Sequence, residues 1–107
     1  MNIRNIRNIE ISPKEYERKL SWDDALLYCQ LLVIDGKDNW RLPNTNELYT
    51  IYTSSNDFDR GNYWSSNEMD INSVWFSNFN NGVLYRMAKH VNYRARPIRT
   101  VRPLERI

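Results

Sequence analysis

Few residues in this chain are of reactive types, and their placement limits what they can do. Cys29 is the single cysteine and His90 the single histidine. Cys29 falls on the apolar stripe of a predicted helix, where a thiol behaves as a small core residue. His90 falls in a predicted turn, with no second His or Cys to complete a metal cluster. Asp23 and Asp24 are adjacent carboxylates, but at a helix start they complement the helix dipole rather than form an acid/base pair. Asn56, Asp57 and Asp59 carry oxygen ligands of the kind Ca²⁺ takes. No nucleophile, base and orienting group assemble from these residues. The expectation is therefore no enzyme, no catalytic residue, no metal and no cofactor, with calcium the single ion left open.

Side chains suited to recognition are more numerous. Asn67, Glu68, Asp70 and Asn72 lie in one predicted loop. Asn78, Asn80, Tyr85, Arg86, His90, Asn92 and Tyr93 belong to the hairpins that follow. Amides and hydroxyls pair with polar groups of a sugar or a protein, and rings add apolar contact. The competing reading is that these are the soluble turns of an Asn-rich chain. The charge is uneven although the net is only +2: Arg86, Lys89, Arg94, Arg96, Arg99, Arg102 and Arg106 crowd the last part. Such asymmetry permits a nucleic-acid partner. The arginines alternate with strand residues instead of forming a block, so pairing with upstream carboxylates is the favoured reading. No stacking platform or nucleic-acid motif accompanies them.

The elements that must position these residues follow from caps and periodicity. A length of 107 residues suits one domain. One cysteine allows no intrachain disulfide, so packing must hold the fold, and 4 Trp, 7 Tyr and 3 Phe supply large buried rings. Residues 8–11 read as a first strand, preceded by an arm of Asn-Ile-Arg repeats over residues 1–7. Ser12-Pro13-Lys14-Glu15 reads as a cap and short helical turn. Ser21 caps a stronger helix whose stripe is Trp22, Ala25, Leu26, Cys29 and Leu32 or Val33, ending near Ile34. Asn44 with Glu47 forms a capping box for a second helix with Leu48, Ile51 and Tyr52 on its apolar face. The remainder reads as strands: Tyr63–Ser65, then Val74–Phe79. An Asn81-Gly82 turn with φ > 0 at both residues leads to Val83–Ala88. A second turn over Lys89–Asn92 precedes a last strand Tyr93–Val101, with Pro97 at an edge or bulge. Helices followed by an antiparallel meander imply an α+β domain. Residues 1–10 hold no continuous apolar run and read as no signal peptide. No stretch approaches the ~18 apolar residues of a membrane span. Synthesis in the cytoplasm is expected, with a phage particle as one destination.

Several motifs occur together and in order. They are Ser21-Trp22-Asp23-Asp24-Ala25, Trp40-Arg41-Leu42-Pro43 with Glu47-Leu48, and Tyr63-Trp64-Ser65-Ser66. Val74-Trp75-Phe76-Ser77-Asn78-Phe79 with Asn81-Gly82 follows, then Arg96-Pro97-Ile98-Arg99. Across residues 20–102 this pattern resembles the C-terminal domain of a bacterial collagen-like adhesin, the Lcl C-terminal-like family. That family is related to the sulfatase-modifying-factor superfamily. The resemblance implies a C-type-lectin-like fold: two helices packed on a small twisted antiparallel sheet with long loops. It marks Trp22, Trp40, Arg41, Pro43, Glu47, Trp64, Ser65, Trp75, Gly82 and Arg99 as scaffold, with the four indoles locking helices to sheet. Formylglycine-generating enzymes, the catalytic relatives, are larger and use a cysteine pair, which this chain lacks. The Glu-Pro-Asn type motif of sugar- and calcium-binding lectins is also absent.

The combined expectation is an arm and first strand over residues 1–11 and one C-type-lectin-like domain over residues 12–107. It would act as a non-catalytic adhesion or receptor-binding module for a protein or glycan. Its ligand surface would lie in the loops and hairpins after residue 66, and it would be an oligomer or part of a larger assembly. The alternatives are a structural accessory protein of a phage head or tail, assembled through the arm, and nucleic-acid binding through the C-terminal arginines.

Overall fold

Two side-chain caps set where the helices begin. Ser21 Oγ accepts from the Asp24 N–H, and helix α1 runs Trp22–Leu31 with Asp23 and Asp24 in its first turn. Asn44 and Glu47 form the reciprocal box, each side chain accepting the other's backbone N–H, and helix α2 runs Thr45–Ser54. In a computed structural model that describes residues 8–101, these helices accompany seven strands. The strands are β1 Ile9–Ile11, β2 Arg18–Leu20, β3 Asn62–Glu68, β4 Ser73–Asn78, β5 Val83–Ala88, β6 Tyr93–Ala95 and β7 Ile98–Thr100. The arm over residues 1–7 lies outside the described residues.

The fold is α+β, as expected, but the sheet is not a simple antiparallel meander. Five strands pair in the order β2-β6-β3-β4-β5, and β1 pairs separately with β7. β6 lies parallel to β3 through Tyr63 and Arg94 and antiparallel to β2. The sequence reading missed β2, because Arg18-Lys19-Leu20 has no apolar alternation. The expected single strand over 93–101 breaks at Arg96-Pro97, where the chain leaves one sheet for the other. Pro97 has no N–H to give a ladder, and its carbonyl accepts from Ser12 N–H at 3.0 Å.

Ser12 does not cap a helix. A 3₁₀ turn over Lys14–Tyr16 starts after Pro13 without a side-chain cap, and Ser12 Oγ has no partner. Helix α1 ends at Leu31 rather than near Ile34, because the chain then turns back. Ile34 and Lys37 exchange backbone hydrogen bonds at 3.0 and 2.9 Å around Asp35 and Gly36, both at positive φ. This Asp-Gly pair makes the tight two-residue turn that was expected of Asn81-Gly82. At Asn81-Gly82 only Gly82 has positive φ, and the register Asn78↔Val83 leaves four residues in the loop.

Neighbouring strand residues feed two apolar clusters on opposite sheet faces. Trp64 joins Trp22, Ala25, Cys29, Leu42, Val74, Phe76 and Ala95. Tyr63 joins Leu48, Ile51, Phe79 and Ile98. Of the expected α1 stripe, Leu26 and Val33 point to water and Leu32 is half-buried. Three indoles are buried, and their N–H groups reach backbone carbonyls. Trp22 donates to Ser65 at 2.9 Å, Trp40 to Lys37 at 2.9 Å and Trp64 to Leu20 at 2.8 Å. Trp75 is only half-buried, so three of the four tryptophans lock the core.

Candidate functional site

The loop between β3 and β4 is shaped by one carboxylate. Asp70 Oδ1 accepts from Asn72 N at 2.8 Å, Ser73 N at 2.9 Å and Ser73 Oγ at 2.8 Å. The Asn72 N–H and the Ser73 hydroxyl hold the Asp70 carboxyl below its ordinary pKa, against partial desolvation. Met69 and Asp70 N–H groups both donate to the Ser73 carbonyl. Beneath this loop the β3–β4 register shifts between Trp64 and Glu68. Ser65 Oγ secures the shift by donating to the Trp75 carbonyl at 2.6 Å and accepting from Asn67 N at 3.1 Å.

The same loop is tied to the β5–β6 turn. Lys89 donates to Glu68 Oε2 at 2.6 Å, and its ammonium lies 5.0 Å from the centre of the Trp22 ring. The Lys89 backbone N–H donates to the Asn72 carbonyl, and the Lys89 carbonyl accepts from Trp22 N–H. Arg86 reaches Met69 Sδ at 3.1 Å. Across this braced end stand two apolar side chains in water, Ile71 at 81% exposure and Met69 at 42%. A hollow of about 440 Å³ beside Ile71 is lined by Ser21, Asp23, Asp24, Asn72, Lys89 and His90 as well.

The expected recognition residues are therefore split among three places. Glu68, Asp70, Asn72, Arg86 and His90 gather at the loop end. Asn67 sits beside them, but its Oδ1 accepts from Thr45 N at 2.8 Å and so serves the first turn of α2. Asn78, Asn80 and Tyr85 belong to the β4–β5 tip, where Asn78 Oδ1 takes the Asn80 N–H and Tyr85 OH takes Asn81 Nδ2 at 3.2 Å. Tyr93 packs on Trp64 and Phe76 at 5.0 and 4.6 Å between ring centres, and Asn92 lines a small hollow with Lys19, Gly61, Asn62 and Arg94. A strand of six residues separates its ends by about 17–20 Å, so one continuous surface from Asn67 to Tyr93 is not formed. Ile71, Met69 and Lys89 escaped the sequence reading. The signal for them is an isolated apolar residue inside Asp70-Ile71-Asn72-Ser73, a run that otherwise reads as an Asp-capped turn.

Of the arginines expected to pair inward, Arg94, Arg96 and Arg99 do so; Arg86 is exposed and reaches Met69 instead, and Arg102 and Arg106 lie outside the described residues. Arg96, with a fully buried side chain, donates to the Ser12 carbonyl at 3.0 Å, to Asp57 Oδ2 at 2.6 Å and to Glu17 Oε1 at 3.4 Å. Arg94 pairs with Glu17 at 3.1 Å. Arg99 pairs with Glu10 at 3.0 Å and donates to the Asp38 carbonyl. Tyr63 OH completes this network, donating to Glu17 at 2.8 Å and accepting from Asp59 N. Burial and the Glu17 carboxylate raise the Tyr63 pKa. Arg41 makes a two-pronged pair with Glu47 at 2.8 Å on both arms and a bond to Thr100 Oγ1, with only one loop carbonyl, Leu42, at 3.3 Å. Pro43 is buried and its carbonyl accepts from Ser66 N–H.

For chemistry, the arrangement offers little. Cys29 is buried, and burial pushes its pKa up to about 12, so the thiol stays protonated at neutral pH. His90 is exposed in its turn. The carboxylates weighed for calcium are taken by cations: Asp57 by Arg96, and Asp59 by Lys14 at 2.6 Å. Among the described residues no three His, Cys, Asp or Glu side chains gather to hold a metal ion, and no helix is long and apolar enough to cross a membrane. A family model described as the Lcl C-terminal domain matches residues 5–99. No curated protein matches the chain.

Proposed function

The chain belongs to the Lcl C-terminal domain family, and from that premise we propose a non-catalytic recognition module of C-type-lectin-like fold that binds a protein partner at the loop end of its sheet. The observation that carries this reading is Ile71: an aliphatic side chain at 81% exposure on a loop held in one shape by Asp70. Loops that only connect elements do not need an apolar tip, whereas protein interfaces are built on apolar anchors ringed by polar groups. The ring here is Asp23, Asp24, Lys89 and His90, with Arg86 beside Met69. Mixed charge around an aliphatic centre suits a protein surface better than a sugar, whose apolar face stacks on aromatic rings. The inward-facing Arg94, Arg96 and Arg99 leave little basic surface on β6 and β7 for nucleic acid. The protonated Cys29 supports a module without covalent chemistry.

The test is a binding screen of the folded protein against purified extracellular-matrix and cell-surface proteins, repeated with Ile71→Ser. A saturable protein ligand whose affinity falls at least about tenfold in the variant, a loss of the hot-spot class, supports the proposal. A ligand bound equally well by Ile71→Ser places recognition elsewhere on the molecule.

A further inference from the structure

A second site stands apart from the loop end and shares no residue with it. Helix α2 lies over the face of β4 and β5 that carries Ser77 and Leu84, and between them runs a groove of about 460 Å³. That volume falls within the range of small-ligand sites. Gly82 closes one end. Its φ of +75° and missing side chain admit the Tyr52 ring, which lies 2.5 Å from where a Cβ would stand.

What distinguishes this groove is the state of its polar groups. Ser77 is 1% exposed, lines the groove, and its hydroxyl has no hydrogen-bond partner. Buried hydroxyls are nearly always paired, and an orphan one is a standing energetic cost that a ligand can relieve. The side chains of Thr45, Asn46, Tyr49 and Thr50 line the groove's α2 wall, and none of them bonds to another described residue. Asn44, Ser65, Asn67, Asn78 and Asn81, by contrast, make side-chain hydrogen bonds, and Ser12 carries the one other buried hydroxyl without a partner among the described residues. Five polar side chains thus line one groove without a side-chain hydrogen bond to a described residue: the buried Ser77 hydroxyl and, on α2, four that solvent reaches.

The chemistry of the lining selects the ligand. No lining residue carries a charge, so an anionic or cationic group would be desolvated there without compensation. Hydroxyls and an amide give both donors and acceptors. The Tyr49 ring, 61% exposed, and Leu84 supply an apolar wall. A molecule with many hydroxyls, one apolar face and no charge fits all three conditions. We infer that the groove between α2 and the β4–β5 hairpin binds a neutral saccharide, with Tyr49 stacking on a pyranose ring and Ser77 receiving one of its hydroxyls.

The test is a ¹⁵N NMR titration of the whole chain with glucose, galactose, N-acetylglucosamine and their neutral disaccharides, with a sulfated heparin disaccharide in parallel. Shifts confined to residues 45–50, Ser77 and Leu84 on addition of a neutral sugar are expected. Tyr49→Ala should weaken that binding at least about tenfold, as loss of an aromatic anchor does. Ser77→Ala should weaken it about fivefold, one hydrogen bond's worth, while raising the melting temperature, because the unpaired buried hydroxyl is gone. A purely structural Ser77 would move the melting temperature without touching sugar affinity, and that result overturns the inference. So do groove shifts with the sulfated sugar alone, or the absence of groove shifts with every neutral sugar tried.

Discussion

At the β6–β7 side of the molecule, Arg94, Arg96 and Arg99 meet Glu17, Asp57 and Glu10, and the Arg96 side chain is fully buried. At the β3–β4 loop end, Asp70 holds only its own loop, Lys89 pairs with a half-exposed Glu68, and Ile71 stands in water. The first region ties segments distant in sequence, so removing one charge strands another inside the protein. The second is held by turn bonds around Asp70 and by Lys89 and Arg86 at its base, none of which uses the Ile71 side chain, so its tip can change without consequence for the core. The difference separates the residues that keep the fold from those free to recognise something else, and it does so within one set of residue types.

The sharpest way to break this contrast is Arg96→Met. Glu17 would keep only Arg94 and the Ser12 carbonyl would lose its donor inside the protein, while the Asp57 carboxylate, 60% exposed, would turn to water. A loss of about 2–4 kcal/mol is expected, from the stranded carbonyl and a buried Glu17 left with one cation, read by urea unfolding. A change under about 1 kcal/mol would place that network with weak surface pairs.

Gly82→Ala should cost about 1–3 kcal/mol, from a positive φ and the Tyr52 ring in the path of the new methyl. A neutral result would mean that the hairpin tip moves freely against α2.

Glu47→Gln tests the intermediate case, where a short-range cap and the Arg41 pair act together. Burial alone would raise the Glu47 pKa, but Arg41 and the Asn44 N–H outweigh it and hold it below 4.5. Ionised Glu47 therefore stabilises the fold above that pH, and the contribution is lost as pH falls through the lowered folded value. The variant should be about 1 kcal/mol less stable at neutral pH and match the wild type once both are below that range. A difference that persists in acid would show that charge is not the cause.

Ile71→Ser should change stability by less than about 0.5 kcal/mol, as an exposed site does.

Much of the fold was legible where a local rule has little competition. The Ser21 cap and the Asn44–Glu47 box fixed both helix starts, and alternation fixed β4 and β5. The alternation of Arg94, Arg96 and Arg99 with apolar strand residues pointed to internal pairing. What stayed hidden depends on distant partners. Arg18-Lys19-Leu20 becomes a strand only because Tyr93-Arg94-Ala95 lies beside it. The break at Arg96-Pro97 needs Ser12, 84 positions away, to accept from Arg96. Trp75 looked like core by its type, yet it shares its sheet face with exposed Arg86. The loop-end residues were partly legible as a polar cluster. Its apolar centre was not, because an isolated Ile in a polar run carries no periodicity from which exposure can be read.

On the proposed function, the loop end recognises a protein while the charged network holds the fold. The most direct test of that division measures melting temperature and affinity for the protein found in the binding screen on the same preparation of an Ile71→Ser, Met69→Ser double variant. The account predicts an unchanged melting temperature and binding reduced beyond detection. A double variant that melts like the wild type and still binds as tightly would contradict it.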